Sequence, residues 1–115
     1  SLTKKNCNYQ TKEDRWTPLM ILSGLGAKGT GSAIRQAIKE LGANPSITDK
    51  DGWNALHWAA FHGSAAGAKE LVKEKRLLSV KDKEGLTPLE TARKEKNDTI
   101  AAIIEAAETE TKKSK

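Results

Sequence analysis

One short stretch recurs along this chain of 115 residues, and the recurrence limits the folds open to it. Its fullest copy is Asp51-Gly52-Trp53-Asn54-Ala55-Leu56-His57-Trp58-Ala59-Ala60-Phe61-His62-Gly63. Shorter copies are Trp16-Thr17-Pro18-Leu19-Met20 upstream and Gly85-Leu86-Thr87-Pro88-Leu89-Glu90-Thr91-Ala92 downstream. Gly52 and Gly85 stand 33 residues apart, as do Asn54 and Thr87, whereas Thr17 and Asn54 are 37 apart. A fixed period of this length means that each copy is one supersecondary unit, which buries its apolar face only by stacking on its neighbours.

These residues resemble the ankyrin-repeat family, whose pattern runs Gly-x-Thr-Pro-Leu-His-x-Ala-Ala-x-x-Gly. The resemblance implies an all-α solenoid of stacked helix-turn-helix units joined by short hairpin fingers, and a non-enzymatic adaptor or scaffold that binds another protein. The expected divisions are a flexible leader over 1–11, a repeat domain over 12–108 with units near 12–48, 49–81 and 82–108, and a disordered tail over 109–115.

The residues support the same layout. Thr17-Pro18 opens a helix, because the threonine hydroxyl caps a helix start and proline fits the first turn. Leu25 to Gly31 holds three glycines, each costing about 1 kcal/mol in a helix, so a second helix is predicted to restart at Ser32. Ala33, Ile34, Ala37, Ile38 and Leu41 then share one face, and Gly42-Ala43-Asn44 ends it. Ser46–Gly52 and Ser79–Gly85 are matched fingers, with glycine supplying a positive-φ turn and aspartate bonding nearby amides. Lys75-Arg76-Leu77 replaces the family's usual Gly-Ala-Asp, which predicts an irregular end to the second unit. Lys96 stands where glycine normally separates helices, and Asn97 or Asp98 caps the last one. Leu19, Leu56 and Leu89 occupy one site in the three copies and are expected to form a column through the core.

Charge separates two kinds of partner. The net +5 is confined to the ends, since residues 13–108 hold fourteen basic and fourteen acidic side chains. Lys4, Lys5, Lys12, Lys112, Lys113 and Lys115 therefore read as solubilising ends of a neutral body, whereas a nucleic-acid domain carries its basic stripe on the folded surface. A binder of nucleic acid or acidic surfaces through those lysines is the alternative reading. No run approaches the ~20 apolar residues of a membrane span. A single cysteine, Cys7, closes no internal disulfide, which suits an intracellular, cytoplasmic or nuclear setting.

No constellation suggests catalysis. Gly24-Leu25-Gly26-Ala27-Lys28-Gly29 fits Gly-x-Gly-x-x-Gly but follows a helix where a phosphate loop would follow a strand, so it reads as a lengthened loop. His57 is read as bonding backbone in the neighbouring turn, as at the family's histidine site. His62, five residues on, is out of step for a metal pair on one helix face. No cofactor or metal is expected.

By resemblance, the concave face selects Glu13, Asp14 and Trp16; Lys50, Asp51, Trp53, Phe61 and His62; and Lys83, Glu84, Leu86, Lys94 and Glu95. Trp16, Trp53 and Phe61 would be its aromatic anchors, and Trp58 is expected to be buried. A monomer is expected, with any self-association running through the first unit at Ile34 and Ile38.

Overall fold

The computed structural model describes residues 5–25 and 29–113, with side chains as far as residue 110. Six α-helices follow one another: α1 (Pro18–Ser23), α2 (Thr30–Glu40), α3 (Ala55–His62), α4 (Ala65–Leu71), α5 (Pro88–Lys94) and α6 (Asp98–Lys113). They pair antiparallel within each unit and stack between units, with α3 between α1 and α5 in one layer and α4 between α2 and α6 in the other.

The first helix of every unit starts by one device. Thr17, Asn54 and Thr87 accept from the amide three residues on, and the side chain there returns a bond to the cap's own N–H. The returning atom is Met20 Sδ, His57 Nδ1 or Glu90 Oε1. Three different side chains thus satisfy one orphan donor, so the reciprocal cap survives where the sequence pattern varies.

Leu19, Leu56 and Leu89 line up through the first layer, with exposures of 1%, 0% and 8%. Ile34, Leu71 and Ile104 fill the second layer, and Ala59, Ala60, Ala68 and Ala92 keep the helices close. Gly67 marks a close approach of helix to main chain, since a Cβ there would lie 2.9 Å from the Ser23 carbonyl oxygen.

Among the described residues the fingers form no β-strand but are tightly built turns. Asp49 Oδ1 accepts from the amides of Asp51 and Trp53, and Asp82 Oδ1 from those of Glu84 and Leu86. Gly52 turns at φ +81°, and a Cβ there would come within 3.1 Å of the next finger. The first finger differs: Arg15 takes the left-handed position at φ 61°, and Thr11 replaces the aspartate, its hydroxyl accepting from Trp16 N. Neighbouring fingers are joined through main chain, Lys50 N donating to Asp14 O and Lys83 N to Asp51 O, both at 3.0 Å.

Several sequence expectations need correction. α2 begins at Thr30, not Ser32, because Gly29 at φ +87° turns the chain and its carbonyl already accepts from Ala33 N. Residues 26–28, the centre of the lengthened loop and of the phosphate-loop reading, lie outside the described residues. Residues 5–11 are packed on the fold: Cys7 is buried and its thiol donates to Leu41 O, while Asn8 bonds both Gly42 O and Asn44 N. Tyr9, by contrast, is 60% exposed. α6 runs on to Lys113 where a tail was expected from Thr109, in keeping with the helix-forming Glu105-Ala106-Ala107-Glu108 before it and with the Thr109 hydroxyl bonding Glu105 O. The second unit does end irregularly, in a 3₁₀ turn over Lys75–Leu77 that buries Leu77. Ile34 is fully buried and Ile38 packs against the core, so neither offers a free surface.

Candidate functional site

The fingers and first helices place a continuous run of rings on one side of the stack. Trp16 meets Trp58 edge-on at 5.3 Å, and Trp58 meets Trp53 edge-on at 6.3 Å. Trp53 then tilts against Phe61 at 5.1 Å, and Phe61 and Trp58 both touch His62. Pairs of this kind add about 0.5–1.5 kcal/mol each beyond their burial, so the rings brace one another. Trp16 and Phe61 are 36% and 39% exposed, and His62 is exposed beside them.

The turn aspartates hold this ridge. Trp58 Nε1 donates to Asp49 Oδ2 at 3.1 Å, and Trp53 Nε1 to Asp82 Oδ2 at 2.9 Å. Each carboxylate therefore folds its own turn with one oxygen and fixes an indole with the other. Burial pushes the Asp82 carboxyl up, but the Leu86, Trp53 and Glu84 donors together bring it below the ordinary carboxylate range. Trp58 was expected in the core and is instead half-buried, because Trp16 and Trp53 flank it and its indole N–H needs the finger carboxylate. The sequence reading gave the finger aspartates their bonds to nearby amides, as Asp49 and Asp82 make them, but missed the bonds of their second oxygens to Trp58 and Trp53.

The charged residues selected from sequence fall into pairs and free groups. Asp14 bonds Lys50 at 3.0 Å, and that contact holds the Lys50 ammonium above its usual value. Glu84 and Lys94 stand 3.5 Å apart. Glu13, Asp51, Lys83 and Glu95 are exposed, and Leu86 is half-buried. Asp51, Lys83 and Glu84 line a hollow of about 260 Å³ between the second and third fingers, floored by Trp53 and Asp82. Exposed ion pairs of this kind carry little stability.

His57 is fully buried: Nδ1 accepts from Asn54 N and Nε2–H donates to Leu86 O at 3.0 Å in the next finger. Burial lowers its pKa, so the ring is a neutral strut between units. Among the described residues no three His, Cys, Asp or Glu side chains converge as a metal site, and no helix is long and apolar enough to cross a membrane.

The family described as "Ankyrin repeats (3 copies)" matches residues 1–75 and 25–113. This chain belongs to the ankyrin-repeat family. Mouse (Mus musculus) inversin is 36% identical over 66 residues, which is 54% of this chain but only 6% of inversin. An ankyrin repeat domain from Acinetobacter baumannii AYE superposes with a TM-score of 0.66 at 26% identity, covering 80% of this chain and 47% of that one. A chain in the structure of the yeast ribosomal protein Rps3 with its chaperone Yar1 gives a TM-score of 0.72 over 88% of this chain and 73% of that one; at 19% identity the likeness is one of fold. Ankyrin repeats are in general protein–protein interaction modules, and the all-α stack of helix pairs seen here is their architecture.

Proposed function

We propose that this ankyrin-repeat chain is a monomeric, intracellular adaptor or scaffold, cytoplasmic or nuclear, that binds a protein partner through its concave face and performs no chemistry. The observation that carries this reading is the ring contact running from Trp16 through Trp58 and Trp53 to Phe61 and His62. Half-exposed aromatics already fixed by carboxylates lose little entropy on binding, and such residues dominate interface energetics. The fingers beside them, with Glu13, Asp14, Lys50, Asp51, Lys83, Glu84, Lys94 and Glu95, supply a mixed-charge rim that sets register. Leu86 holds His57 from the third finger and contributes apolar area. The Rps3–Yar1 structure offers a precedent in which the partner of a chaperone is another protein.

The test is capture from lysate with the full chain beside a Trp16→Ala/Phe61→Ala variant whose fold is verified by circular dichroism. These two are chosen because Trp53 and Trp58 also hold fingers. Protein partners retained by the native chain and lost by the variant support the reading. Equal capture by both, or capture removed by nuclease and moderate salt, overturns it.

A further inference from the structure

Lys75-Arg76-Leu77 stands where the family pattern carries Gly-Ala-Asp, and it contributes nothing to the proposed concave face. The 3₁₀ turn that forms there divides its residues sharply. Leu77 is fully buried and Leu78 nearly so, while the side chains of Lys75 and Arg76 are 42% and 62% exposed. Surface contacts hold these two cations loosely, Lys75 standing 3.4 Å from Glu110 and Arg76 3.5 Å from Glu74.

Ser79 follows, exposed, in the irregular turn that leads into the third finger. Arg76 lies three residues before it, Lys75 four before it and Val80 directly after. Basic side chains at those places upstream of a serine, with an apolar residue downstream, form the charge pattern by which basophilic serine kinases select substrates. No other serine of the chain has a basic residue three places upstream. The fold separates them as well. Ser23 and Ser64 are buried with their hydroxyls on the carbonyls of Leu19 and Leu25, and Ser32 lies within α2. Ser46 is the repeat equivalent of Ser79, 33 residues earlier, yet its hydroxyl oxygen is buried and Ala43-Asn44-Pro45 precede it.

A kinase cleft takes its substrate extended, so the turn must open. It is held by the burial of Leu77 and Leu78 and by two i→i+3 bonds, Leu77 N to Glu74 O at 3.0 Å and Leu78 N to Lys75 O at 3.2 Å. Asn54 Nδ2 adds a long bond to Leu77 O at 3.4 Å. A single 3₁₀ turn between two elements is the kind of segment that opens locally before the whole fold does.

We propose that Ser79 is a phosphorylation site of a basophilic serine kinase, which recognises it through Arg76 and Lys75. The γ-phosphoryl group of ATP passes to Ser79 Oγ. The new P–O bond forms as the bond to the β,γ-bridging oxygen breaks, ADP leaves with that electron pair, and the kinase's catalytic aspartate takes the hydroxyl proton. Because Ser79 is exposed, the phosphate enters no core, and Arg76 and Lys81 on either side in sequence offset its added negative charge of about 1.5–2.

The test incubates the native chain with Mg²⁺, ATP and the catalytic subunit of cyclic-AMP-dependent protein kinase, at a temperature where circular dichroism shows the fold intact. Tandem mass spectrometry should place a single phosphate on Ser79, and the initial rate should fall at least ~10-fold in Arg76→Ala, an exposed change whose fold is verified in the same way. Native-state hydrogen exchange reads the opening: the amides of Leu77 and Leu78 should exchange at least ~10-fold faster than that of Leu71 in α4. No phosphate on Ser79 while the same kinase modifies a standard peptide overturns the proposal, as does a rate indifferent to Arg76→Ala. Protection of Leu77 and Leu78 equal to that of Leu71 also overturns it, since the turn then opens only with the whole fold.

Discussion

The indole N–H of Trp53, in the second unit, donates at 2.9 Å to Oδ2 of Asp82 in the third. Asp82 is 8% exposed and its other oxygen holds the turn, so the bond welds an aromatic of the ring run to the next finger.

Trp53→Phe keeps the ring but leaves Oδ2 short of a donor. The expected loss is about 1–3 kcal/mol, and a double-mutant cycle with Asp82→Asn should return a coupling of about 1–2 kcal/mol in urea denaturation. The Asp82 carboxyl lies below its ordinary value of 3.8 in the fold, so its contribution is full above that value and disappears as pH falls through the depressed one. Trp53→Phe should blunt that acid limb, and additive single changes would show that the two residues act independently.

His57 makes stability depend on pH in a higher window. Its folded pKa lies below the ordinary 6.5 because burial disfavours the imidazolium. Below pH 6.5 the unfolded chain takes up a proton that the folded chain refuses, so stability should fall with decreasing pH, with a slope of at most about 1.4 kcal/mol per pH unit. Thermal melts between pH 7.5 and 5 should show this for the native chain and a flatter profile for His57→Gln, which keeps a donor toward Leu86 O. Parallel profiles would assign the pH dependence to other groups.

Lys96 has φ 60° and an exposed side chain, in the place where the family pattern carries glycine. A non-glycine residue there costs about 1–2 kcal/mol in conformation, partly offset by the ~0.4–1 kcal/mol of chain entropy that glycine gives up on folding. Lys96→Gly is therefore expected to raise stability by about 0.5–1 kcal/mol, read as an increase in denaturation midpoint with unchanged m-value. No rise would mean that the turn relaxes around the lysine at little cost.

The fold was legible because its determinants are local and periodic: the caps at Thr17, Asn54 and Thr87 announce three helices, and Leu19, Leu56 and Leu89 mark the column between them. Departures came where a distant contact decided the outcome. Cys7 looks like part of a polar leader until the carbonyl of Leu41, 34 residues away, is placed beside it. Trp58 reads as a core residue because it sits between Leu56 and Ala59, yet its burial is set by Trp16 of the previous unit and by Asp49.

The column of leucines makes a prediction about cooperativity. Leu56 is fully buried in the middle unit, and its helix packs on α1 and α5 within the first layer, whereas Leu89 is 8% exposed in a helix whose neighbour in that layer, among the described residues, is α3. In a nearest-neighbour stack a change in the middle weakens two interfaces and a change at the end weakens one. Leu56→Ala should cost about 3–5 kcal/mol and Leu89→Ala about 2–3, within the range for buried leucines. With a total of about 5–15 kcal/mol for a domain of this size, the first variant approaches unfolding at moderate temperature. Urea denaturation followed by both tryptophan fluorescence and far-ultraviolet circular dichroism decides whether the stack breaks as one body. The tryptophans lie in the first two units, so coincident curves for Leu89→Ala mean that the third unit cannot melt alone. A circular dichroism transition preceding the fluorescence one means that α5 and α6 detach first and the ridge survives without them.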